Sequence, residues 1–318
     1  MASTVSIIIP HHNRLLFLEQ QLNEYAKWVK DDLEFLIIDN SPLCISDQNR
    51  LVSTYTWARF IFVKENNGPS HLRNIGLKLA NGKFIQFIDD DDFVTYQKVK
   101  SQMNYLNKEV NTSVVIGATQ KENWDTLRKI KERTEAISFP DFSTVISISD
   151  LLKTENFFQI GSALFRKNNL LEIGGFDESR WFIEDVHLYL RLFEAGAIIK
   201  TGKNLTHGFF FRIHDRNSLS KSSQTKFLEG CLLNFLYCID HNMLRTEQDY
   251  KIVYSGIYNF LNQNTIINQE IYLKGIKELK NQSFKYLPKI AVIGKLIGMN
   301  NLFKTLSFYR RIKLQISH

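Results

Sequence analysis

The stretch Phe84–Phe93, FIQFIDDDDF, decides how the first half of the chain is interpreted, because an apolar run leads directly into four carboxylates. Adjacent like charges repel one another, so folding alone gives little reason to collect four acids in one place. Two explanations are open from this stretch by itself. The acids form a solvated turn that ends a strand, or they hold a hard divalent cation such as Mg²⁺ or Mn²⁺, which prefers carboxylate oxygens.

The segments around this stretch alternate between strand and helix patterns. Apolar runs predict strands at Val5–Pro10, Leu33–Asp39, Arg59–Asn66 and Lys83–Ile88. Apolar residues at helical spacing from Leu15, and a segment over about residues 70–80, predict helices between strands. Strands separated by helices imply βαβ units. The predicted fold class is therefore α/β, with a mainly parallel sheet.

Polar residues follow three of the predicted strands. Pro10–Asn13 ends the first strand, Asp39 ends the second, and Asp89–Asp92 ends the fourth. In open parallel sheets, ligands bind outside the carboxyl ends of the strands. We therefore expect these groups to meet at one edge, which favours a cation site over a solvated turn.

The second half of the chain continues the α/β pattern and then changes. Three further strand candidates are Ser113–Ala118, Ala197–Gly202 and Thr206–His214. The charge-rich segment from Thr119 to about Thr144 is predicted to be an excursion or loop. The block Phe158–Gly196 combines a strand, a short helix, a Gly-Gly turn and an amphipathic helix. After about Ser220 the pattern is helical, so we predict a catalytic domain at 1–220 and a helical region at 221–318.

Composition narrows the class of protein. With 44% apolar residues and only five prolines in 318 residues, large-scale disorder is not expected. Cys44, Cys231 and Cys238 are odd in number and lack CxxC spacing, which favours a reducing cytosol over a disulfide framework. The N-terminal segment lacks the apolar core of a signal peptide, and no uncharged run reaches the roughly 18–20 residues of a membrane span. The expected location is cytoplasmic.

Several common site motifs are absent from the sequence. No GxGxxG, GxxxxGK[ST], HExxH, GxSxG or zinc-spaced Cys/His set occurs, which disfavours dinucleotide, P-loop, zinc-protease and serine-hydrolase chemistry. No recognised nucleic-acid-binding module occurs either, so nucleic acid is not an expected partner.

The motifs that are present resemble, in their order and spacing, the family 2 glycosyltransferases of the GT-A fold. They are VSIIIPHHNR, IIDNS, NNGPSHLRNIGLKLANGKFIQFIDDDD, GGFDESRWFIEDVHLYLRL and FRIHDRNSLS, and they cover about residues 4–220. The resemblance implies a Rossmann-like, mainly parallel sheet flanked by helices. It also implies an inverting enzyme that moves a sugar from a nucleotide-diphosphate donor to an acceptor hydroxyl, in the assembly of a bacterial surface polysaccharide such as capsule or O-antigen.

The resemblance assigns a metal site to the acidic stretch. The D-x-D pattern of the family falls on Asp89 and Asp91, with Asp91 the expected direct ligand of Mn²⁺ or Mg²⁺ and Asp90 near the ribose or the water shell of the metal. Asp92 either takes part or only caps the following turn. His214 matches a histidine that completes the metal shell or contacts the diphosphate, although a lone histidine is commonly structural.

The resemblance also assigns the donor site. The donor-binding positions of the family fall on Pro10, His11, Asn13 and Asp39. Two departures leave the identity of the base open: Asn40 replaces a second acid, and His12 replaces an aromatic residue. Arg73 and Asn74 match an "RN" pair whose arginine meets the diphosphate, unless it is only a surface residue.

The expected catalytic pair is Glu184-Asp185, which matches the "ED" of the family. An inverting displacement needs a general base opposite the leaving group, and Asp185 is the expected base. Both acids also open an amphipathic helix, where capping is an alternative role. Trp181, just before the pair, either stacks on a sugar or packs against the protein.

Three other functions compete with this prediction. A haloacid-dehalogenase-type phosphatase also places D-x-D after an apolar strand, but the GGFDE…ED block has no role there. A sugar nucleotidyltransferase needs a Gly-rich loop where this chain has PHHNR. A catalytically silent module would bind a nucleotide sugar without turning it over.

The C-terminal segment concentrates the positive charge. Lys274–His318 contains ten Lys/Arg and one acid, Glu278, whereas the whole chain carries only +7. Phe284–Gln315 mixes apolar and basic residues without any acid. We expect this segment to lie on the inner face of the cell membrane, where a glycan or lipid-linked acceptor would be found. The alternative is a helix that packs on the catalytic domain.

Overall fold

The computed structural model describes residues 4–30, 32–125, 130–137, 145–153, 158–201, 208–214, 223–262, 268–281 and 286. Within these residues the strands are β1 Val5–His11, β2 Leu33–Asp39, β3 Ala58–Phe62, β4 Phe84–Phe87, β5 Phe93–Val94, β6 Thr112–Ile116, β7 Thr119–Asp125, β8 Ile130–Ile137, β9 Ala163–Arg166, β10 Ile198–Thr201 and β11 Phe209–His214. The α-helices are α1 Leu15–Tyr25, α2 Ile45–Thr54, α3 Gly68–Leu79, α4 Tyr96–Lys108, α5 Ile148–Leu152, α6 Lys167–Glu172, α7 Glu184–Glu194, α8 Gln224–Asp240, α9 Glu247–Leu261 and α10 Gln269–Asn281.

Seven of the described strands form one sheet in the order β10-β6-β9-β4-β1-β2-β3. All neighbours pair in parallel except β9, which runs antiparallel between β4 and β6. Every residue of β1 is buried, as expected for a strand covered by helices on both faces. The α/β class and the mainly parallel sheet predicted from the sequence are therefore confirmed.

A second described sheet has the order β5-β11-β7-β8. The segment from Thr119 to about Thr144 was expected to be an excursion or loop. Its described residues contain an antiparallel pair, β7 and β8, so the loop alternative is wrong for them. β7 also pairs in parallel with β11. Polar sequences such as TQKENWD carry no hydrophobic alternation, so main-chain pairing with β8 and β11 defines this strand where side-chain pattern does not.

The described residues divide into two compact units. The first comprises residues up to Ile146 and from Phe158 to His214, and the second comprises Ser147–Lys153 and the helical residues from Ser223 onward. In the second unit α5 is tied to α9, because Ser149 Oγ donates a hydrogen bond to the carboxylate of Asp249. The domain boundary predicted at 220/221 lies outside the described residues.

The helical character predicted after residue 220 is confirmed over α8, α9 and α10. Most of the basic segment Phe284–Gln315 lies outside the described residues. None of the helices that the structure describes is both long and apolar enough to cross a lipid bilayer.

Lys98, on α4, is a lysine buried in the core of the first unit. Its side chain is 0% exposed, and its amine donates to Gln86 Oε1, to the Gly161 carbonyl at 2.8 Å and to the Ala163 carbonyl at 3.4 Å. All three partners are neutral. Burial therefore lowers the pKa of Lys98 well below its ordinary value.

This burial predicts a specific pH dependence of stability. Between the lowered folded-state pKa of Lys98 and its unfolded value of about 10.4, the unfolded chain binds one proton that the folded chain does not. Stability therefore rises with pH across this window. Relative to Lys98→Met, the unfolding constant of the wild type should fall by about tenfold per pH unit. Urea unfolding at pH 7, 8 and 9 measures this difference, and parallel pH profiles would mean that Lys98 stays charged in the fold.

Candidate active site

The carboxyl ends of three strands bring polar residues to one edge of the seven-stranded sheet. β1 ends at His11 and β2 at Asp39, and these two residues are directly paired. β4 runs parallel to β1, with Phe87 paired to Ile8, and leads into the acidic turn, Asp89–Asp92. The convergence expected from the strand order is therefore present in the structure.

The backbone of the acidic turn is held by one buried amide. Gln21, on α1, is fully buried, and its Nε2 donates to the carbonyl oxygens of Asp89 at 2.8 Å and of Asp92 at 2.7 Å. The Asp92 amide also donates to the Asp89 carbonyl at 3.1 Å. The directions in which the four carboxylates leave the turn are therefore set by α1 as well as by β4.

Asp90 points into the protein and is 0% exposed. One of its oxygens lies 2.6 Å from His11 Nδ1, and the other lies 2.5 Å from Arg14 Nη2. The second terminal nitrogen of Arg14 contacts the carboxylate of Asp91. Asp90 was predicted near the ribose or the water shell of the metal, and its carboxylate is bonded to protein groups on both sides.

Arg73, on α3, joins the acidic turn to the predicted catalytic pair. Its guanidinium is buried and lies 2.7 Å from Asp89 Oδ1 and 2.8 Å from Glu184 Oε1. The same group lies over the ring of Phe176, 5.2 Å from its centroid. Burial alone would lower the pKa of Arg73, but Asp89 and Glu184 raise it above its ordinary value. Arg73 is therefore a permanent cation inside the site and not a surface residue.

Asp92 links the acidic turn to the second sheet. Its Oδ1 accepts a hydrogen bond from the Arg212 amide of β11 at 2.9 Å. Burial raises the pKa of Asp92 well above its ordinary value, and the charges of Asp91 and Asp89 add to this shift. The Arg212 guanidinium lies 3.9 Å from the centroid of the Phe93 ring. Asp92 does more than cap the following turn, because it fastens β11 to the carboxyl end of β4.

The acidic turn has the donor set of a divalent-cation site. Carboxylate oxygens of Asp89, Asp91 and Asp92 lie within 4.8 Å of one another. Three such oxygens fit a hard cation, which takes carboxylate ligands. His214, the other predicted ligand, is the last residue of β11, and its side chain lies outside the described residues.

A second group of polar residues surrounds the end of β2. Asp39 is buried; its Oδ1 accepts the Ser41 amide at 2.7 Å, whereas its Oδ2 has no hydrogen-bond partner among the described residues. Asn40 Oδ1 lies 2.9 Å from His12 Nδ1, and Asn40 Nδ2 donates to Asn66 Oδ1 at 3.1 Å. The two residues that depart from the family pattern, Asn40 and His12, are therefore bonded to each other.

Two other predicted residues at the end of the first strand, Pro10 and Asn13, contribute through their backbone. Pro10 is buried within β1. Asn13 has a left-handed backbone (φ 56°), and its amide donates to Ser41 Oγ at 2.8 Å. Asparagine tolerates this conformation better than most side chains. The loop after β1 is thereby held against the loop after β2.

Asp185 lies in the first turn of α7 beside Glu184. Burial raises the pKa of Asp185 to about 7, and the neighbouring charge of Glu184 adds to the shift. The Val186 amide, which donates to Asp185 Oδ1 at 2.8 Å, and Arg73 act in the opposite direction. A carboxylate with a pKa near 7 is a stronger base than an ordinary aspartate, which is the property that a general base requires.

Trp181 precedes this pair and packs on the first residue of α3, Gly68. A Cβ at Gly68 would lie 3.0 Å from its indole, and Gly68 has a φ of +83°, so glycine is required there. The Trp181 side chain is nevertheless 41% exposed. Ile183, between Trp181 and the pair, has a φ of 56°, which is strained for a β-branched residue. Trp181 therefore packs against the protein, as one of the two predictions had it, and stacking on a sugar stays a prediction.

Both polar atoms of the Asn74 side-chain amide form hydrogen bonds with the segment at the Gly-Gly turn. Its Nδ2 donates to the Phe176 carbonyl at 2.9 Å and to Glu178 at 2.8 Å, and its Oδ1 accepts the Phe176 amide at 2.8 Å. A Cβ at Gly175 would lie 2.4 Å from Asn74 Oδ1. Asn74 thus connects α3 to the segment that leads to Glu184.

Gln21 and Arg14, which contact the acidic turn, were not singled out from the sequence. Gln21 occupies the same helix face as Leu18 and Leu22, and a polar residue at such an apolar-spaced position was a usable signal for a buried contact. Arg14 carried no comparable signal, because an arginine after a strand end is commonly exposed.

Known proteins resemble this chain along most of its length. The model of glycosyl transferase family 2 matches residues 6–174, more than half of the chain. The minor teichoic acid biosynthesis protein GgaA of Bacillus subtilis is 27% identical over 88% of this chain and 68% of its own length. An uncharacterized glycosyltransferase of Haemophilus influenzae is 31% identical over 32% of this chain. For this protein and two Rickettsia glycosyltransferases, the matched segments span 42%, 19% and 43% of the relative, less than half of each.

The fold is also that of a solved crystal structure. The crystal structure of S. aureus TarS 1–349 in complex with UDP-GlcNAc superposes with a TM-score of 0.70 at 15% identity, covering 97% of this chain and 92% of that one. This likeness concerns the fold alone, and it confirms the predicted GT-A architecture. Since the family model covers more than half of the residues, the chain belongs to glycosyl transferase family 2.

Proposed function

We propose that the protein transfers a sugar from a nucleotide-diphosphate donor to an acceptor hydroxyl, with a divalent cation and with inversion at the anomeric carbon. One observation carries the proposal: Arg73 joins a carboxylate of the acidic turn to the acid pair that opens α7. The groups suited to a leaving diphosphate and the groups suited to an attacking hydroxyl thus share one site. Family membership decides against the phosphatase and nucleotidyltransferase alternatives.

The nucleoside end of the donor is proposed to bind at the end of β2. Asp39 Oδ2 is buried without a partner among the described residues, and a buried acceptor of this kind is costly unless a donor group meets it. An imide N–H of a base or a ribose hydroxyl supplies such a donor. TarS was crystallised with UDP-GlcNAc and with UDP, so a UDP-sugar is the first donor to test.

The acidic turn is proposed to hold the cation. Asp89 and Asp91 are the ligands expected from the resemblance, and the oxygen of Asp92 within the same 4.8 Å cluster supports a carboxylate-rich site. When bound, Mn²⁺ or Mg²⁺ would neutralise the charge that develops on the leaving diphosphate. Arg73, a buried cation at the same place, adds a fixed positive charge.

Asp185 is proposed to take the proton of the acceptor hydroxyl. Its pKa of about 7 leaves much of it ionised at neutral pH, and makes it basic enough to accept the proton. Arg73 binds Glu184, so the neighbouring negative charge is partly compensated when Asp185 ionises.

The acceptor itself is proposed to be part of a surface polymer, because GgaA is named for minor teichoic acid biosynthesis.

The first prediction concerns Asp91. Asp91→Ala should abolish cation-dependent binding of UDP and turnover, while the melting temperature changes little, because Arg14, which contacts Asp91, keeps Asp90 as a partner. EDTA should have the same effect on the wild type. Calorimetry of UDP binding with and without Mn²⁺ measures both effects. Full activity in EDTA would contradict a metal site at the acidic turn.

The second prediction concerns Asp185. Asp185→Asn should retain Mn²⁺–UDP binding but lose transfer by about 10²–10⁴-fold, the range for loss of a general base. In the wild type, transfer should fall as the pH drops below about 7, because Asp185 becomes protonated. The folded-state pKa is raised, so ionisation destabilises the fold, and the asparagine variant should melt higher at pH 8.

Transfer within a few-fold of wild type in Asp185→Asn would assign the base to another residue. A wild-type protein that binds UDP-sugars but neither transfers nor hydrolyses them would support the silent binding module.

The third prediction concerns the basic C-terminal segment, which we propose docks on anionic lipid near a lipid-linked acceptor. Each basic residue near an anionic leaflet contributes about 1 kcal/mol, so the seven Lys/Arg of Phe284–Gln315 would hold the protein reversibly. The full-length protein should sediment with anionic vesicles at low salt, and much less with neutral vesicles or at high salt. Deletion of residues 284–318 should remove this binding, and equal, negligible sedimentation under all conditions would contradict docking.

A further inference from the structure

Arg14, which follows the first strand, contacts the carboxylates of the acidic turn. Its guanidinium lies 2.5 Å from Asp90 Oδ1 and also contacts the carboxylate of Asp91. An arginine guanidinium stays protonated in proteins, so this charge is permanent. It contacts Asp91, the carboxylate expected to be the direct ligand of the cation.

Two arginines already pair with three of the four carboxylates of the acidic turn. Arg14 takes Asp90 and Asp91, and Arg73 takes Asp89. A divalent cation that arrives alone meets carboxylates that are already paired, and it is repelled by two guanidinium groups. When a cation binds the carboxylates, the two guanidinium groups lose their negative partners. A diphosphate that binds together with the cation supplies negative charge in their place.

We propose that Arg14 is the counter-ion of the acidic turn in the unliganded enzyme, and that it makes cation binding depend on the donor diphosphate. Arg14 thus acts as a positioning residue that couples the two ligands. This inference rests on the cation and diphosphate sites of the proposed function. Neither the family match nor the D-x-D pattern assigns this role to Arg14.

The side chain of Arg14 can be replaced without the loss of a hydrogen bond that starts α1. Arg14 is the N-cap residue of α1, but its side chain makes no capping hydrogen bond. The contacts that fix this position are made by its carbonyl, which accepts the amides of Phe17 at 2.9 Å and Leu18 at 3.1 Å. A neutral side chain at this position removes the charge and leaves the helix start intact.

The experiment measures Mn²⁺ binding by the EPR signal of the free ion, with and without saturating UDP, at constant ionic strength. In the wild type, Mn²⁺ should bind weakly alone and far more tightly with UDP. In Arg14→Met, Mn²⁺ alone should bind about tenfold more tightly or better, because a nearby positive charge is gone. The factor by which UDP tightens Mn²⁺ binding should fall by a similar amount. Because the coupling between two ligands is reciprocal, the factor by which Mn²⁺ tightens UDP binding should fall equally.

Matched variants separate this role from a structural one. Arg14→Lys keeps the charge and should retain weak binding of Mn²⁺ alone. Arg50→Met removes an arginine paired with Glu19 on the surface, and should change neither constant. Arg14→Gln is a second neutral variant that should repeat the result of Arg14→Met, and circular dichroism reports whether each variant is folded.

The outcomes distinguish this inference from the proposed function. Unchanged or weaker binding of Mn²⁺ alone in folded Arg14→Met or Arg14→Gln overturns the role of Arg14, even if Mn²⁺ and UDP bind cooperatively to the wild type. A wild type that binds no Mn²⁺ even with UDP overturns the metal site itself. Loss of folding in both neutral variants also overturns the inference, because the side chain would then be structural.

Discussion

The site depends on one buried guanidinium, that of Arg73, which lies between the acidic turn after β4 and the acid pair that opens α7. The distances of 2.7 Å to Asp89 and 2.8 Å to Glu184 are those of charge-assisted hydrogen bonds. Removal of either partner would leave a buried charge uncompensated, which is strongly destabilising. The groups proposed for the leaving diphosphate and for the attacking hydroxyl are therefore held together by an interaction that also stabilises the fold.

The buried carboxylates near this arginine have different surroundings, and these surroundings give them different roles. Asp90 is paired with His11 and Arg14 inside the protein, whereas burial raises the pKa of Asp92, whose oxygen accepts an amide of β11. Asp185 has a pKa of about 7, mainly because of burial. Four adjacent acids are tolerated because all of them have partners: Asp89 pairs with Arg73, Asp90 and Asp91 pair with Arg14, and Asp92 accepts the Arg212 amide. This arrangement answers the question that FIQFIDDDDF raises.

The sheet could be predicted from the sequence because a strand buried on both faces must be apolar throughout, as in β1 and β2. The edge at which the site lies followed from the strand order. Contacts such as those of Gln21 and Arg14 with the acidic turn could not be predicted, since they depend on where α1 packs. The β7–β8 pair was missed because main-chain pairing, not side-chain pattern, defines it. The role of His214 stays a prediction.

The central claim is that the acidic turn holds a cation that in turn holds a diphosphate. Crystals grown with Mn²⁺ and UDP, measured at an X-ray energy above the manganese absorption edge, locate the metal directly through its anomalous scattering. The account predicts one anomalous peak bonded to the carboxylate of Asp91 and to oxygens of the diphosphate, with the nucleoside beside Asp39. Bound UDP with no anomalous peak at the acidic turn, or with manganese elsewhere, would contradict it.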